Sequence, residues 1–205
     1  VELDAVNENA KNPILVAVET TTRAASVALF RDRALVASIE RDVRGDAILA
    51  LVDELLGAHA LTARDVARWA VDVGPGSFTG VRAGVATVKG VAFATGAEVV
   101  AVNAFDAVCA ARSISPSDAC VILEAGKGEV YFRIGAAEPS HAKRDAVSSL
   151  MAGRGETVVE NVAPRARDVG LVALDARVVL AAGDLDRLEP YYVRAPDLVK
   201  PRTVR

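Results

Sequence analysis

The sequence predicts an α/β fold: a mixed sheet flanked by helices, followed by a smaller second unit. Two features carry this expectation. The chain opens with three strand-like segments, 14–18, 25–30 and 34–40, and only Arg31-Asp32-Arg33 separates the last two. So short a polar separator predicts an antiparallel hairpin. From residue 46 onward, helical and extended patterns alternate as α-β-α-β-α, the pattern of βαβ units with parallel strands. Composition agrees, since 52% of the 205 residues are hydrophobic and can supply a sizeable core.

Residues 14–18 are continuously apolar, as expected for a strand buried on both faces. A helix is expected over 46–58. At about 100° per residue, Ala47, Ile48, Leu49, Leu51, Val52, Leu55 and Leu56 cover an arc of about 200°, twice the stripe of about 100° that a helix on a sheet needs. The surplus predicts a second buried side, against a neighbouring helix or against a partner protein. Thr62-Ala63-Arg64-Asp65 has the form of a capping box with Asp in the acid position.

The central stretch runs from 71 to 94. Trp69, Val71 and Val73 alternate with Ala70 and Asp72, which suits a strand. Gly74-Pro75-Gly76 breaks it, Ser77 is an N-cap, and a helix of about four turns follows. Glycines before a helix can cradle a phosphate. Here, however, Gly74-x-Gly76-x-x-x-Gly80 has one residue too many for the dinucleotide fingerprint, and no Gly-Lys-Ser/Thr follows for a P-loop. A tight strand-to-helix turn, whose glycines let the helix pack closely, is the better reading.

A strand at 98–102 and a helix capped by Asn103 complete the first unit, and 113–117 breaks it. The order β-β-β-α-β-α-β-α is that of the ribonuclease H-like lobe of actin-like ATPases, a fold analogy that carries no function by itself. The expected division is a loose extension at 1–12, a first lobe at 13–117 and a smaller lobe at 118–205. In the second lobe, 120–124 and 129–134 read as paired strands. Fainter signals mark a helix at 146–151, a strand at 157–162, a short helix at 164–169 and a strand at 176–181. About 85 residues after position 120 make this a reduced second lobe.

Several function classes are disfavoured. The formal net charge of −3 leaves no basic footprint for gripping nucleic acid alone. Cys109 and Cys120 lack metal-ligand spacing and read as small buried hydrophobes, which suits a reducing cytoplasm. His59, at a helix end, and His141, in a polar loop, do not form a metal-binding pair at helical spacing. Ser77 is not in a G-x-S-x-G setting. Glu19 and Asp72 could supply acid for magnesium, yet Thr20-Thr21-Thr22 offers no glycine for a phosphate hairpin. Neither a membrane span nor a basic-then-apolar leader is read.

Four motifs then point to a family: ILVAVETTTRAASVALF near the start, GPGSFTGVRAG at 74–84, GKGEVYF at 126–132 and PYYVR at 190–194. Together they resemble the TsaB (YeaZ) family, accessory proteins of the bacterial machinery that makes threonylcarbamoyladenosine in tRNA. The signature loop is Gly74, Pro75, Gly76, Ser77, Phe78, Thr79 and Gly80. Glu19 stands where the family usually has Asp, Val43-Arg44-Gly45 where a His is common, and Glu124-Ala125-Gly126 where Asp-Ala-Arg is usual.

The resemblance implies a non-catalytic scaffold subunit without cofactor or metal. It would be cytoplasmic, would pair with TsaD, and would be joined by the ATPase TsaE. It would reach tRNA only through the complex and would form a homodimer when alone. The alternative from the residues is a small actin-fold nucleotide-binding protein or ATPase. In the helix after the loop, Val81, Gly84, Val85, Val88 and Val91 gather on one side. Ala83, Ala86 and Gly90 lie opposite, where small residues admit another helix at the close end of the usual range of about 8–10 Å. The expected partner face therefore comprises Ile48, Leu49, Leu51, Leu55 and Leu56 with Ala83, Ala86 and Gly90.

Overall fold

A computed structural model describes residues 13–42 and 47–194. The proposed extension at 1–12, the departure at 43–45 and the expected helix start at 46 lie outside the described residues. The first sheet has the order β3-β2-β1-β4-β5. Its strands are β1 (Ile14–Glu19), β2 (Ala25–Arg31), β3 (Ala34–Arg41), β4 (Val66–Asp72) and β5 (Glu98–Val102). β1, β2 and β3 pair antiparallel, whereas β4 pairs parallel with both β1 and β5. This is the mixed sheet flanked by helices that the sequence predicts. The run of apolar residues in β1 is explained by its position, because every residue of β1 is buried.

Alternation along the strands sends two residue sets to opposite faces. On one face Val16, Val18, Val27, Leu29, Trp69 and Val71 pack with α1 (Ile48–Gly57) and α2 (Phe78–Thr95). On the other, Leu15, Ala17, Ala28, Phe30 and Ala70 pack with α3 (Ala104–Arg112) and α5 (Ala166–Leu174). The caps expected from the sequence form. Ser77 Oγ accepts from the Gly80 N–H at 3.3 Å, Asn103 Oδ1 accepts from Phe105 N–H at 2.9 Å, and Asp65 Oδ2 accepts from Thr62 N–H at 2.8 Å.

The second sheet has the order β8-β7-β6-β9, with β6 (Ala119–Gly126), β7 (Glu129–Ile134), β8 (Ser140–Lys143) and β9 (Thr157–Val159). α3 is shared between the sheets: Ala107 faces the first, and Phe105, Val108 and Cys109 pack on Val121 and Leu123 of the second. α4 (Arg144–Met151) covers the other side through Val147. Both cysteines are free and buried. His141 lies in the edge strand β8, paired with Tyr131, rather than in a loop.

The chain then returns to the first sheet. α5 runs to Leu174 rather than stopping at 169, and it sits so close to β2 that a Cβ on Gly170 would fall 2.1 Å from the Phe30 ring. The expected strand at 176–181 reduces to one bridge, Leu180 with Val99. Residue 117 thus separates the two sheets, while much of the chain after β9 lies against the first. Among the described residues, no helix is long and apolar enough to cross a membrane.

Candidate functional site

The carboxyl ends of β1 and β4 lie side by side, and each feeds a turn. After β1 the turn is Thr20-Thr21-Thr22, and after β4 it is the signature loop. The Ser77 N–H donates to Thr21 O at 2.6 Å, and the Thr20 hydroxyl donates to Gly80 O at 2.7 Å. The glycines make this approach possible. A Cβ on Gly76 would lie 2.6 Å from Thr21 O, one on Gly80 1.9 Å from Thr20 O, and one on Gly84 2.3 Å from Thr20 Oγ1. Gly80 and Gly84, four residues apart, stack along one line of α2, and Gly76 lies just before its N-cap Ser77. They form a slot, and the chain's own threonine turn fills it. The close packing expected of the loop is therefore directed chiefly at this turn.

Two buried acids hold the turns in place. Glu19 is 1% exposed and Asp72 is fully buried. Glu19 Oε1 accepts from the Thr21 N–H, from the Thr21 hydroxyl at 2.7 Å and from the Thr22 N–H at 3.1 Å. Asp72 Oδ1 accepts from the Gly74 N–H at 2.8 Å, and Oδ2 lies 3.3 Å from the Thr21 hydroxyl. That hydroxyl has one hydrogen for two acids. Burial pushes Glu19 up from 4.5 to about 7, against the pull of its donors. Asp72 is raised well above the usual carboxylate range, first by burial and then by the Glu19 charge. Both carboxyls are spent on their own turns, and neither lines the neighbouring cavity.

That cavity, of about 700 Å³, opens between the two turns and the second sheet. Pro75, Gly76, Ser77 and Phe78 form one wall, and Tyr131 and residues 122–126 form the facing one. Thr22 and Ser77 bring hydroxyls to it. Its charged groups pair with others: Arg23 with Asp42, Glu124 with Arg144, and Arg194 with Glu129. At the rim, the Arg82 guanidinium carbon sits 3.8 Å from the Phe78 ring centroid. Arg82 Nε donates to Tyr192 Oη at 2.9 Å, and the Tyr192 ring centroid is 5.1 Å from that of Phe78. This cluster joins the GPGSFTGVRAG and PYYVR motifs, a link that a separation of 110 positions hides in the sequence. Among the described residues, no group of three or more His, Cys, Asp or Glu side chains is placed to hold a metal ion.

The expected partner face divides. Ile48, Leu51, Leu55 and Leu56 are core residues, at 1–5% exposure, so they belong to the interior of this chain and not to a contact surface. The wide apolar arc of α1 is satisfied by β2, β3 and α2. Leu49 is 48% exposed. On α2, Ala86 and Gly90 are exposed and Ala83 is half-buried, while Val81, Gly84, Val85 and Val88 face inward as expected. Thr79 points out with them. Phe93, 76% exposed on the same side of α2, escaped the sequence reading. Its spacing from Gly90 and Ala86 is the signal that places it there.

The TsaD family model, described as tRNA N6-adenosine threonylcarbamoyltransferase, matches residues 45–151. The tRNA threonylcarbamoyladenosine biosynthesis protein TsaB of Haemophilus influenzae is 32% identical over 126 residues, covering 60% of this chain and 53% of that protein. Escherichia coli TsaB is 31% identical over 122 residues, covering 58% and 53%. The chain thus spans about half the length of these TsaB relatives. An uncharacterized protein of Mycobacterium tuberculosis is 32% identical over 209 residues, covering 93% of this chain and 95% of its own length. Among solved structures, YeaZ from Pseudomonas aeruginosa superposes with a TM-score of 0.70 at 24% identity, covering 88% of this chain and 99% of that one. At that identity the match speaks for the fold.

Proposed function

The chain belongs to the TsaB (YeaZ) family, within the wider group that the TsaD model describes, and from that premise we propose that it is a non-catalytic subunit that pairs with TsaD. In this role it supports transfer of threonylcarbamoyl to the adenosine next to the anticodon in tRNA, with TsaE as the ATPase of the complex and tRNA reached only through the assembly in the cytoplasm. The observation that favours a scaffold over an enzyme is the filled slot. Where a phosphate would approach the glycines, Thr20 and Thr21 already stand, and the two nearest acids are consumed by their own turns. The outer side of α2, with Ala83, Ala86, Gly90 and Phe93 beside Leu49 of α1, is the contact surface for TsaD, and for a second copy when TsaD is absent. Reconstituted modification of tRNA by TsaC, TsaD and TsaE should require this chain. Glu19→Gln and Ser77→Ala should keep most of the activity. Loss of all turnover in either variant, with folding and assembly intact, would assign a catalytic role instead.

The cavity favours a second reading, a small nucleotide-binding protein or ATPase, because α/β folds place ligands beyond the carboxyl ends of their strands. Calorimetry with ATP and magnesium separates the two. The scaffold reading expects no binding by the isolated chain, and a one-to-one isotherm at micromolar affinity would replace it with the second.

A further inference from the structure

Near the start of α2, two aromatic rings from distant segments hold one guanidinium in place. Arg82 is exposed, and its guanidinium carbon lies 3.8 Å from the Phe78 ring centroid. Its Nε donates to Tyr192 Oη at 2.9 Å. Tyr192 ends the returning segment 182–192, which Lys89 of α2 also ties down through the carbonyls of Asp186 and Leu188. That segment carries Asp184, Asp186 and Glu189, yet among the described residues no carboxylate pairs with Arg82. Nor does any acceptor among them take a hydrogen bond from Nη1 or Nη2.

Other arginines are matched within the chain: Arg33 with Asp175, Arg68 with Glu98 and Arg133 with Asp106. Arg82 is ordered without a counter-charge, so a contact made to it need not first restrain a long side chain. Phe78 covers one flat face and Tyr192 takes the Nε edge, which leaves the Nη1–Nη2 end open. Two parallel N–H bonds from that end match the two oxygens of a carboxylate. The positive pole of α2, at Ser77 and Phe78, lies about one turn away and favours the same sign. A nucleic acid would call for several phosphate contacts, whereas Lys89 is committed to carbonyls and the chain has a net charge of −3. One unmatched guanidinium suits one protein carboxylate. By its spacing Arg82 shares the outer side of α2 with Ala86, Gly90 and Phe93, and about 16 Å of helix separates it from Phe93.

We infer that Arg82 is the charged anchor of this surface: a partner protein seated over Ala86 and Gly90 sets an Asp or Glu carboxylate against Nη1 and Nη2. The inference rests on the reading of the outer side of α2 as the contact surface for TsaD, and it adds the chemistry of the group met there. The test is the affinity of the full chain for TsaD of the same organism, at low and at high salt, with urea midpoints to confirm folding. Wild-type binding should weaken as salt rises. Arg82→Gln should weaken it at low salt by about ten-fold, the scale of one charge-assisted contact, and should remove most of the salt dependence. Arg82→Lys keeps the charge without the paired N–H bonds, so it should recover only part of that loss. It also keeps the test decisive if Arg82→Gln does not fold. Unchanged affinity or unchanged salt dependence in Arg82→Gln, or full affinity in Arg82→Lys, would overturn the anchor and leave the TsaD surface standing. No binding by the wild type would overturn both. Binding of tRNA by the isolated chain that Arg82→Gln abolishes would overturn the anchor in favour of a phosphate contact.

Discussion

The two sides of α2 are made of similarly small residues and behave in opposite ways. Inward, Gly80 and Gly84 are buried, and neither has room for a single added carbon. Outward, Ala86 is exposed, and a Cβ on Gly90 would meet nothing within 4 Å. The inner glycines are thus fully explained by the threonine turn that they admit. The fold gives the outer small residues no such reason. α2 therefore mixes small residues that its own packing requires with small residues that its own packing does not. Only the burial of each position tells them apart.

Substitutions on the two sides should break this contrast in opposite directions. The largest effect is expected inside. Gly80→Ala places a Cβ 1.9 Å from the Thr20 carbonyl oxygen, a backbone atom that cannot swing away. Forced overpacking of this kind should cost about 3 kcal/mol or more, read as a lowered urea midpoint. Unchanged stability would mean that the slot is not tight.

Next comes the acid pair behind the slot. Glu19 keeps its proton in the folded chain up to about pH 7, against 4.5 when exposed. Its contribution to stability is therefore fully present below about pH 4.5 and is lost as pH rises through about 7. Across that window the loss should reach about 3 kcal/mol. Glu19→Gln keeps an acceptor for the Thr21 and Thr22 N–H groups and should make the profile shallower, leaving the share of Asp72, which burial also raises. Unfolding curves between pH 4.5 and 8 check both statements, and an identical slope in the variant would mean that Glu19 is not the titrating group.

Outside, the same kind of change should help. Gly90→Ala adds a methyl group into open space on an exposed helical position and should stabilise the chain by about 1 kcal/mol. A loss of stability in the isolated monomer would show that Gly90 is held close to another part of the chain.

The core of the first sheet was largely legible, because its signals are local. The hairpin separator, the buried run of β1 and the caps at Ser77 and Asn103 each lie within a few residues of what they determine. What the sequence hid was long-range or polar. β8 reads SHAK, too short and too exposed to show an apolar period. The expected strand at 176–181 has strand-like composition, yet Val178 is 77% exposed and only Leu180 finds a partner. The reach of α5 depends on Gly170 meeting Phe30, 140 residues earlier. The surplus arc of α1 looked like an interface because periodicity reports that a face is buried, not what buries it. At the site, the signature loop stood out as a motif, but its partner, the Thr20–Thr21 turn, lies some 55 residues away. The joint burial of Glu19 and Asp72 could be seen only once β1 and β4 were paired.

The most direct test of the division between the two sides is Ala86→Arg. On an exposed helical position the change should leave folding and the urea midpoint nearly unaltered, since Arg is a good helix former. In a close helix contact it buries an unpaired charge, and association should fail. Co-elution with TsaD from the same organism should therefore be lost while the monomer stays folded. A variant that co-elutes with TsaD at wild-type affinity would contradict the assignment of the outer side of α2 to the partner.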